Sequence, residues 1–200
     1  MKKYQDQFFK RAKKENYPAR SVYKLKEMDK KFSLFRPGQN ILDLGAAPGS
    51  WTLYAAGKVG TGGQVLAIDL NLPDISFPDQ VSFVQGDVFD QDAPAGQQIK
   101  DSAPFDVVLS DMAPKTIGIK FTDQARSFTL AMEALNTARL FLKVKGSFVV
   151  KILEGPDIQD LQKEMRSLFN KVKHFKPKSS RAESKEIFLV GLQFAGDQDK

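Results

Sequence analysis

The sequence predicts an α/β fold, a mostly parallel seven-stranded sheet with helices on both faces. Three observations predict it. Short apolar runs alternate with segments of helical period from residue 40 onward, which is the pattern of repeated βαβ units. The first run ends in a glycine-bearing turn, Asp43-Leu44-Gly45-Ala46-Ala47-Pro48-Gly49-Ser50-Trp51, and sheets of this kind bind ligands just beyond the carboxyl ends of their strands. The chain has 200 residues, 42% hydrophobic and 27% charged, enough to build one domain with a core over residues 1–200.

In chain order, Val22, Leu25, Met28 and Phe32 recur at helical spacing and predict a helix over 21–32. Arg36-Pro37-Gly38 punctuates. A strand is expected over 40–44 and a helix over 50–59, then strands over 64–69 and 81–85. A strand over 105–110 (FDVVLS) leads into a long helix over 122–142. A strand over 147–153 (SFVVKIL) leads into a helix over 158–169. Strands over 171–175 and 187–194 (IFLVGLQF) close the chain. No internal repeat or low-complexity linker interrupts this order.

Composition narrows the chemistry. There are no cysteines and one histidine, His174, so disulfides, thiolate nucleophiles and Cys- or His-based metal sites are excluded, and no metal is expected. No apolar run approaches the roughly 20 residues of a membrane helix. The N-terminus leads into polar sequence without a signal-peptide pattern, so a cytoplasmic monomer away from membranes is the expectation. The net charge is +6, and it is unevenly placed: residues 1–31 carry eleven Lys or Arg against four acids. A second basic stretch spans 171–185. Two basic segments flanking a neutral middle have the character of a nucleic-acid footprint. Phe8 and Phe9 lie in the first of them, where helical core packing is expected.

The turn after the first strand is the candidate cofactor loop. Gly45 and Gly49 permit a tight turn and close ligand approach, and the following helix presents its N-terminus. Asp69 ends the second strand, 20 residues past Gly49, where an acid reaches the ribose of an adenosine cofactor. Asp87 follows the third strand and is placed to accept from an adenine amino group. The loop lacks the G-x-G-x-x-G dinucleotide fingerprint and the Gly-Lys-Ser/Thr of a P-loop, and it holds no cationic cluster for a pyrophosphate. S-adenosyl-L-methionine remains, and its positive sulfonium suits an Asp-rich pocket.

Four segments together carry a family resemblance: Asp43–Trp51, Ser110-Asp111-Met112-Ala113-Pro114, Gly146-Ser147-Phe148-Val149-Val150-Lys151, and Lys176 to Glu186 (KPKSSRAESKE). In that order they resemble the FtsJ/RrmJ (RlmE) family, from about Tyr17 to Phe194. The resemblance implies a Rossmann-like methyltransferase fold. It implies S-adenosyl-L-methionine-dependent 2′-O-methylation of a ribose, a uridine in bacterial members, in large-subunit ribosomal RNA. It places a Lys–Asp–Lys–Glu catalytic tetrad on Lys24, Asp111, Lys151 and Glu186, and cofactor ligands on Gly49, Trp51, Asp69, Asp87 and Asp111; Gly45 joins them from the loop. Two positions depart from the family pattern: Ser50 stands where Gly is usual, and Lys115 where Asn is usual.

The residues make chemical sense in these roles. A ribose hydroxyl is a poor nucleophile and must lose its proton. A lysine can accept it only when burial or a like charge disfavours its charged form. Lys151 interrupts an otherwise apolar strand and has Lys24 as its cationic neighbour, so it is the expected general base. Asp111 and Glu186 hold the lysines, and Lys24 orients ribose or phosphate. Glu183 competes with Glu186 for the acidic position; Glu186 is preferred because it opens the last strand and fits the family pattern. His174 is expected to be exposed on a strand. A cytosine C5 enzyme would need a cysteine, and an exocyclic-amine enzyme would show Asn/Asp-Pro-Pro-Tyr/Phe in place of Asp111-Met112-Ala113-Pro114. Transfer RNA as acceptor, and a non-catalytic RNA-binding assembly factor, stay open as alternatives.

Overall fold

The computed structural model describes residues 2–181 and 183–196, without the side chains of 2–6. Its elements are α1 (Lys2–Lys14), α2 (Val22–Phe32), β1 (Asn40–Leu44), α3 (Ser50–Val59), β2 (Gln64–Asp69), β3 (Val81–Gln85) and α4 (Pro94–Ser102). Then follow β4 (Phe105–Ser110), α5 (Lys120–Phe141), β5 (Leu142–Leu153), α6 (Ile158–Leu168), β6 (Phe169–Phe175) and β7 (Glu186–Phe194). The seven strands form one sheet in the order β3-β2-β1-β4-β5-β7-β6. β1 to β5 pair in parallel, whereas β7 runs antiparallel to both β5 and β6. The expected α/β architecture with a mostly parallel seven-stranded sheet is therefore the architecture observed.

Side-chain parity along the strands builds two cores. Leu42, Leu44, Val108, Phe148, Val150, Ile152, Ile187 and Leu189 face the layer of α4, α5 and α6. Ile41, Val107, Leu109, Val149, Phe188 and Val190 face α2 and α3. Successive strand residues point to opposite faces, so Asp43, Asp111, Lys151 and Glu186 fall on the α2/α3 side by the same count. Because β7 is antiparallel, its first residue, Glu186, lies opposite Leu153 at the end of β5. The sheet thus collects all four positions at one end of one face. Switching from β1 outward to β2 on one side and β4 on the other opens the crevice there.

Three elements differ from the sequence expectation. α4 was not foreseen, because its buried positions are Ala95, Gly96 and Ile99, too small to print a helical period; Pro94 at its first position is well tolerated there. β5 begins at Leu142 rather than Ser147, pairing with β4 through a bulge between Phe105 and Val107, with Lys143 Nζ 2.8 Å from Asp106 Oδ2. α1 covers the basic N-terminal segment. In it Ala12 is buried and Phe8 packs on Tyr23 at 5.2 Å, but Phe9 is 56% exposed and lies outside the core. Among the described residues no helix is long and apolar enough to cross a membrane, and no group of three or more potential metal ligands occurs.

Candidate active site

The floor of the crevice is the turn between β1 and α3. Gly45 has φ +74°, and a Cβ there would stand 2.2 Å from Met112 Cγ. Gly49 has φ +100°, and a Cβ there would stand 2.5 Å from Ile75 Cδ1. Neither position accepts a larger residue without moving a neighbour. The turn is pinned to β2: Gly45 and Ala46 donate their N–H groups to the Ile68 carbonyl at 2.9 and 3.0 Å, and Ala47 donates to Asp69 Oδ2 at 2.9 Å. The other Asp69 oxygen accepts from the Asn71 N–H at 2.8 Å. Asp69 therefore shapes the loop it faces. Asp87 is exposed past the end of β3 and accepts the Phe89 N–H at 3.0 Å.

Trp51 lies in the first turn of α3. Its indole is buried against Phe188, with ring centroids 5.8 Å apart, and its Nε1–H donates to the Ser21 carbonyl at 3.0 Å. Trp51 also lines the small hollow over the turn, at the end of α3 where helix N–H groups lack intrahelical acceptors.

One acid was missed by the sequence reading. Asp43 is 1% exposed, and its Oδ2 accepts the Thr52 hydroxyl at 2.6 Å. Burial pushes its carboxyl up to about 7; the Thr52 hydrogen bond opposes this, and the charges of Asp111 and Asp69 reinforce it. The signal was available, since Asp43 interrupts the apolar Ile41-Leu42-Asp43-Leu44 run as Lys151 interrupts its own strand. Asp43 and Asp111 both line the small hollow over the turn. Asp43, Asp69 and Asp111 thus converge on a loop with no basic residue, a donor set that fits a cationic adenosine cofactor and disfavours a pyrophosphate.

The four expected catalytic residues meet as two ion pairs on one face. Lys151, 7% exposed, has Nζ 3.0 Å from Asp111 Oδ1 and donates a short hydrogen bond to the Asp111 backbone carbonyl. Asp111 Oδ1 is buried with no hydrogen-bond donor aligned on it. Lys24, on α2, has Nζ 2.6 Å from Glu186 Oε2 and lies 5.7 Å from the centre of the Phe188 ring. Phe188, a core residue, is also the cross-strand partner of Lys151. Burial works to raise the Glu186 carboxyl, but the Lys24 charge and hydrogen bond, with the more distant Lys151 charge, hold it below the ordinary carboxylate range. The acid that meets Lys24 is Glu186; Glu183 is exposed on the preceding turn. His174 is exposed on β6, as expected, and burial of its flank lowers its pKa.

Both departures from the family pattern find a place. Ser50 is 1% exposed; its hydroxyl accepts from the Ala19 N–H at 2.8 Å and donates to the Ala19 carbonyl at 3.1 Å. A glycine could make neither bond, so Ser50 stitches the basic segment before α2 to the candidate cofactor loop. Lys115 is exposed on the segment after β4, where its carbonyl accepts from Arg126 Nη1.

Known proteins share these features. The profile of the FtsJ-like methyltransferase family matches residues 17–194. A relative from Oleidesulfovibrio alaskensis named ribosomal RNA large subunit methyltransferase E is 59% identical over 196 residues, covering 98% of this chain and 95% of that protein. Its namesake from Nitratidesulfovibrio vulgaris strain Hildenborough is 58% identical over the full length of both. Among solved structures, a Plasmodium falciparum chain named for ribosomal RNA methylation has TM-score 0.78 at 28% identity, covering 90% of this chain and all of that one. A Clostridium thermocellum chain with TM-score 0.59 at 18% identity shares the fold.

Proposed function

The chain belongs to the FtsJ-like methyltransferase family, and from that premise we propose that it transfers a methyl group from S-adenosyl-L-methionine to the 2′-hydroxyl of a ribose, that of a uridine, in large-subunit ribosomal RNA. The observation that carries this reading is the buried Lys151–Asp111 pair facing the Lys24–Glu186 pair at the mouth of the cofactor crevice. The large-subunit assignment rests on the names of the relatives.

The bound cofactor supplies an electrophilic methyl group; the protein supplies positioning and proton transfer. In this reading Asp69 takes the ribose hydroxyls of the adenosine and Asp87 its amino group. The acids Asp43 and Asp111 favour positive charge over the turn. Lys151 takes the proton from the acceptor hydroxyl as its oxygen attacks, and passes it to solvent afterwards. Asp111 holds Lys151 in position through its backbone carbonyl and its carboxylate, so Nζ is fixed before the substrate arrives. Lys24, fixed by Glu186, orients the ribose. The exposed cations of α1, Lys10, Arg11, Lys13 and Lys14, together with the 171–185 stretch, meet RNA phosphates.

The test uses large ribosomal subunits lacking this methylation, labelled cofactor, and mapping of the modified nucleotide. Label is expected on one ribose of the large-subunit RNA, and none on a substrate whose target is the 2′-deoxy nucleotide. Transfer that persists on the deoxy substrate means a base is the acceptor. Label entering transfer RNA in preference means the acceptor RNA is misassigned. No transfer at all returns the protein to an assembly role.

A further inference from the structure

A cavity of about 330 Å³ lies beside the Lys24–Glu186 pair, between the start of α2 and the segment that precedes β7. We propose that it is a subsite for one phosphodiester of the RNA, held by Arg20 and by the hydroxyls of Ser179 and Ser180, and that it sets the register of the ribose presented to Lys151. The proposal rests on the functional reading above for its ligand, and on the following features for the site.

Ser179 is 1% exposed and Ser180 8% exposed, and neither hydroxyl has a hydrogen-bond partner in the chain. Buried polar atoms are nearly always paired, so two unpaired hydroxyls on adjacent residues that line the cavity call for a partner. A third unpaired buried atom, Arg20 Nη1, belongs to another residue of the same wall. Three donors of this kind suit a tetrahedral anion, since a hydroxyl donates freely to an anionic oxygen and a guanidinium binds phosphate by its fork.

The surrounding structure fixes the wall before any ligand arrives. Arg20 Nη2 donates to the Ser179 carbonyl at 2.6 Å, and its guanidinium lies 5.5 Å from the centre of the Phe8 ring. Because Arg20 bonds a carbonyl there and not a carboxylate, that contact leaves its charge unneutralised. Glu27 on α2 accepts the N–H groups of Lys178 and Ser179 at 2.7 and 2.9 Å, which clamps the 178–180 turn to the helix. Ser50, through Ala19, holds the residue before Arg20 to the cofactor loop. The N-terminus of α2 adds partial positive charge. Glu183 and Glu186 also line the cavity, and Lys24 neutralises Glu186. Lys24 and Glu186 are shared with the catalytic group, so a phosphate seated here lies next to the ribose that Lys24 orients.

The experiment compares wild type with the Ser179→Ala/Ser180→Ala double variant in methyl transfer to unmethylated large subunits. Thermal midpoint and S-adenosyl-L-methionine affinity are measured alongside. Each hydroxyl is unpaired in the free protein, so a structural role predicts unchanged kinetics and an unchanged or higher midpoint. The subsite predicts a KM for subunits raised about tenfold to a hundredfold, the cost of lost hydrogen bonds to a charged group, with the midpoint and cofactor affinity held. Arg20→Gln should in addition flatten the dependence of log K for RNA on log salt by about 0.7 to 0.9, one phosphate contact. An unchanged KM in the double variant, or a KM change that only follows a fallen midpoint, overturns the subsite while wild-type transfer leaves the functional reading standing. Absence of transfer by wild type overturns both.

Discussion

Replacing Asp43 by Asn isolates the energetic cost of the acid buried under the cofactor turn. In the folded protein burial raises the Asp43 carboxyl from 3.8 to about 7, against the Thr52 hydrogen bond and with help from Asp111 and Asp69. A folded-state value above the unfolded one means that the native state binds more protons between about pH 4 and pH 7. Its contribution to stability is then full below pH 4 and is lost as pH rises through 7. Three pH units at about 1.4 kcal/mol each give an upper bound of about 4 kcal/mol carried as a penalty at pH 8. Asn keeps the shape and its carbonyl can accept the Thr52 hydroxyl, while its NH₂ faces acids. Urea unfolding of both proteins at several pH values measures the difference. Asp43→Asn is expected to be more stable than wild type by about 2–4 kcal/mol at pH 8, with the gap shrinking by about 1.4 kcal/mol per unit as pH falls below 7. A difference that is flat with pH would show that Asp43 does not titrate in this window, and the account of the acid cluster would fail.

Lys151→Ala should lower turnover by roughly 10²–10⁴ or more with cofactor affinity nearly intact, and Lys151→Arg should not restore it, because guanidinium does not release its proton near neutrality; an active Lys151→Ala enzyme in a labelled-transfer assay removes the base assignment. Charge reversal at Lys10, Arg11, Lys13 and Lys14 should weaken RNA binding and flatten its salt dependence while calorimetric cofactor affinity holds; an unchanged slope makes these exposed residues bystanders. Ser50→Ala strips two partners from the Ala19 backbone and should cost about 1–3 kcal/mol in denaturant unfolding, whereas a neutral result denies the stitch between loop and basic segment.

The sequence made the sheet legible because most strands are runs of large apolar residues between punctuated segments. It hid α4, whose inward face is built from Ala95, Gly96 and Ile99, and it misplaced Phe9, since spacing alone does not say how wide the buried stripe of α1 is. The candidate site was legible where a polar residue broke an apolar run, as the buried Lys151 does. Lys24 was the hard case: on a helix crowded with Lys26, Lys30 and Lys31, nothing local marks it, and only its 2.6 Å pairing to a residue 162 positions away distinguishes it. For Trp51, nothing local shows that its indole packs on Phe188 while the residue also lines the hollow over the turn. Neither distinction is encoded within a window of sequence; both depend on where α2 lands on the sheet.

The reversed direction of the last strand has a consequence at the candidate site. Glu186 opens β7 and is the acid that fixes Lys24. With β7 antiparallel to β5, its first residue stands opposite Leu153, at the carboxyl end where Lys151 and the crevice lie. Were β7 parallel in the same slot, its nine residues at roughly 3.3 Å each would carry Glu186 some 25–30 Å away, to the far edge of the sheet. Lys24 would then be a cation beside Phe188 without its carboxylate, and the 176–185 segment, which precedes Glu186 in the chain, would leave with it. Reversing one strand thus delivers both the acidic partner of Lys24 and the Ser179–Ser180 wall to the face that already holds Asp111 and Lys151. The antiparallel β7 is the feature of the topology on which the assembly of this site depends.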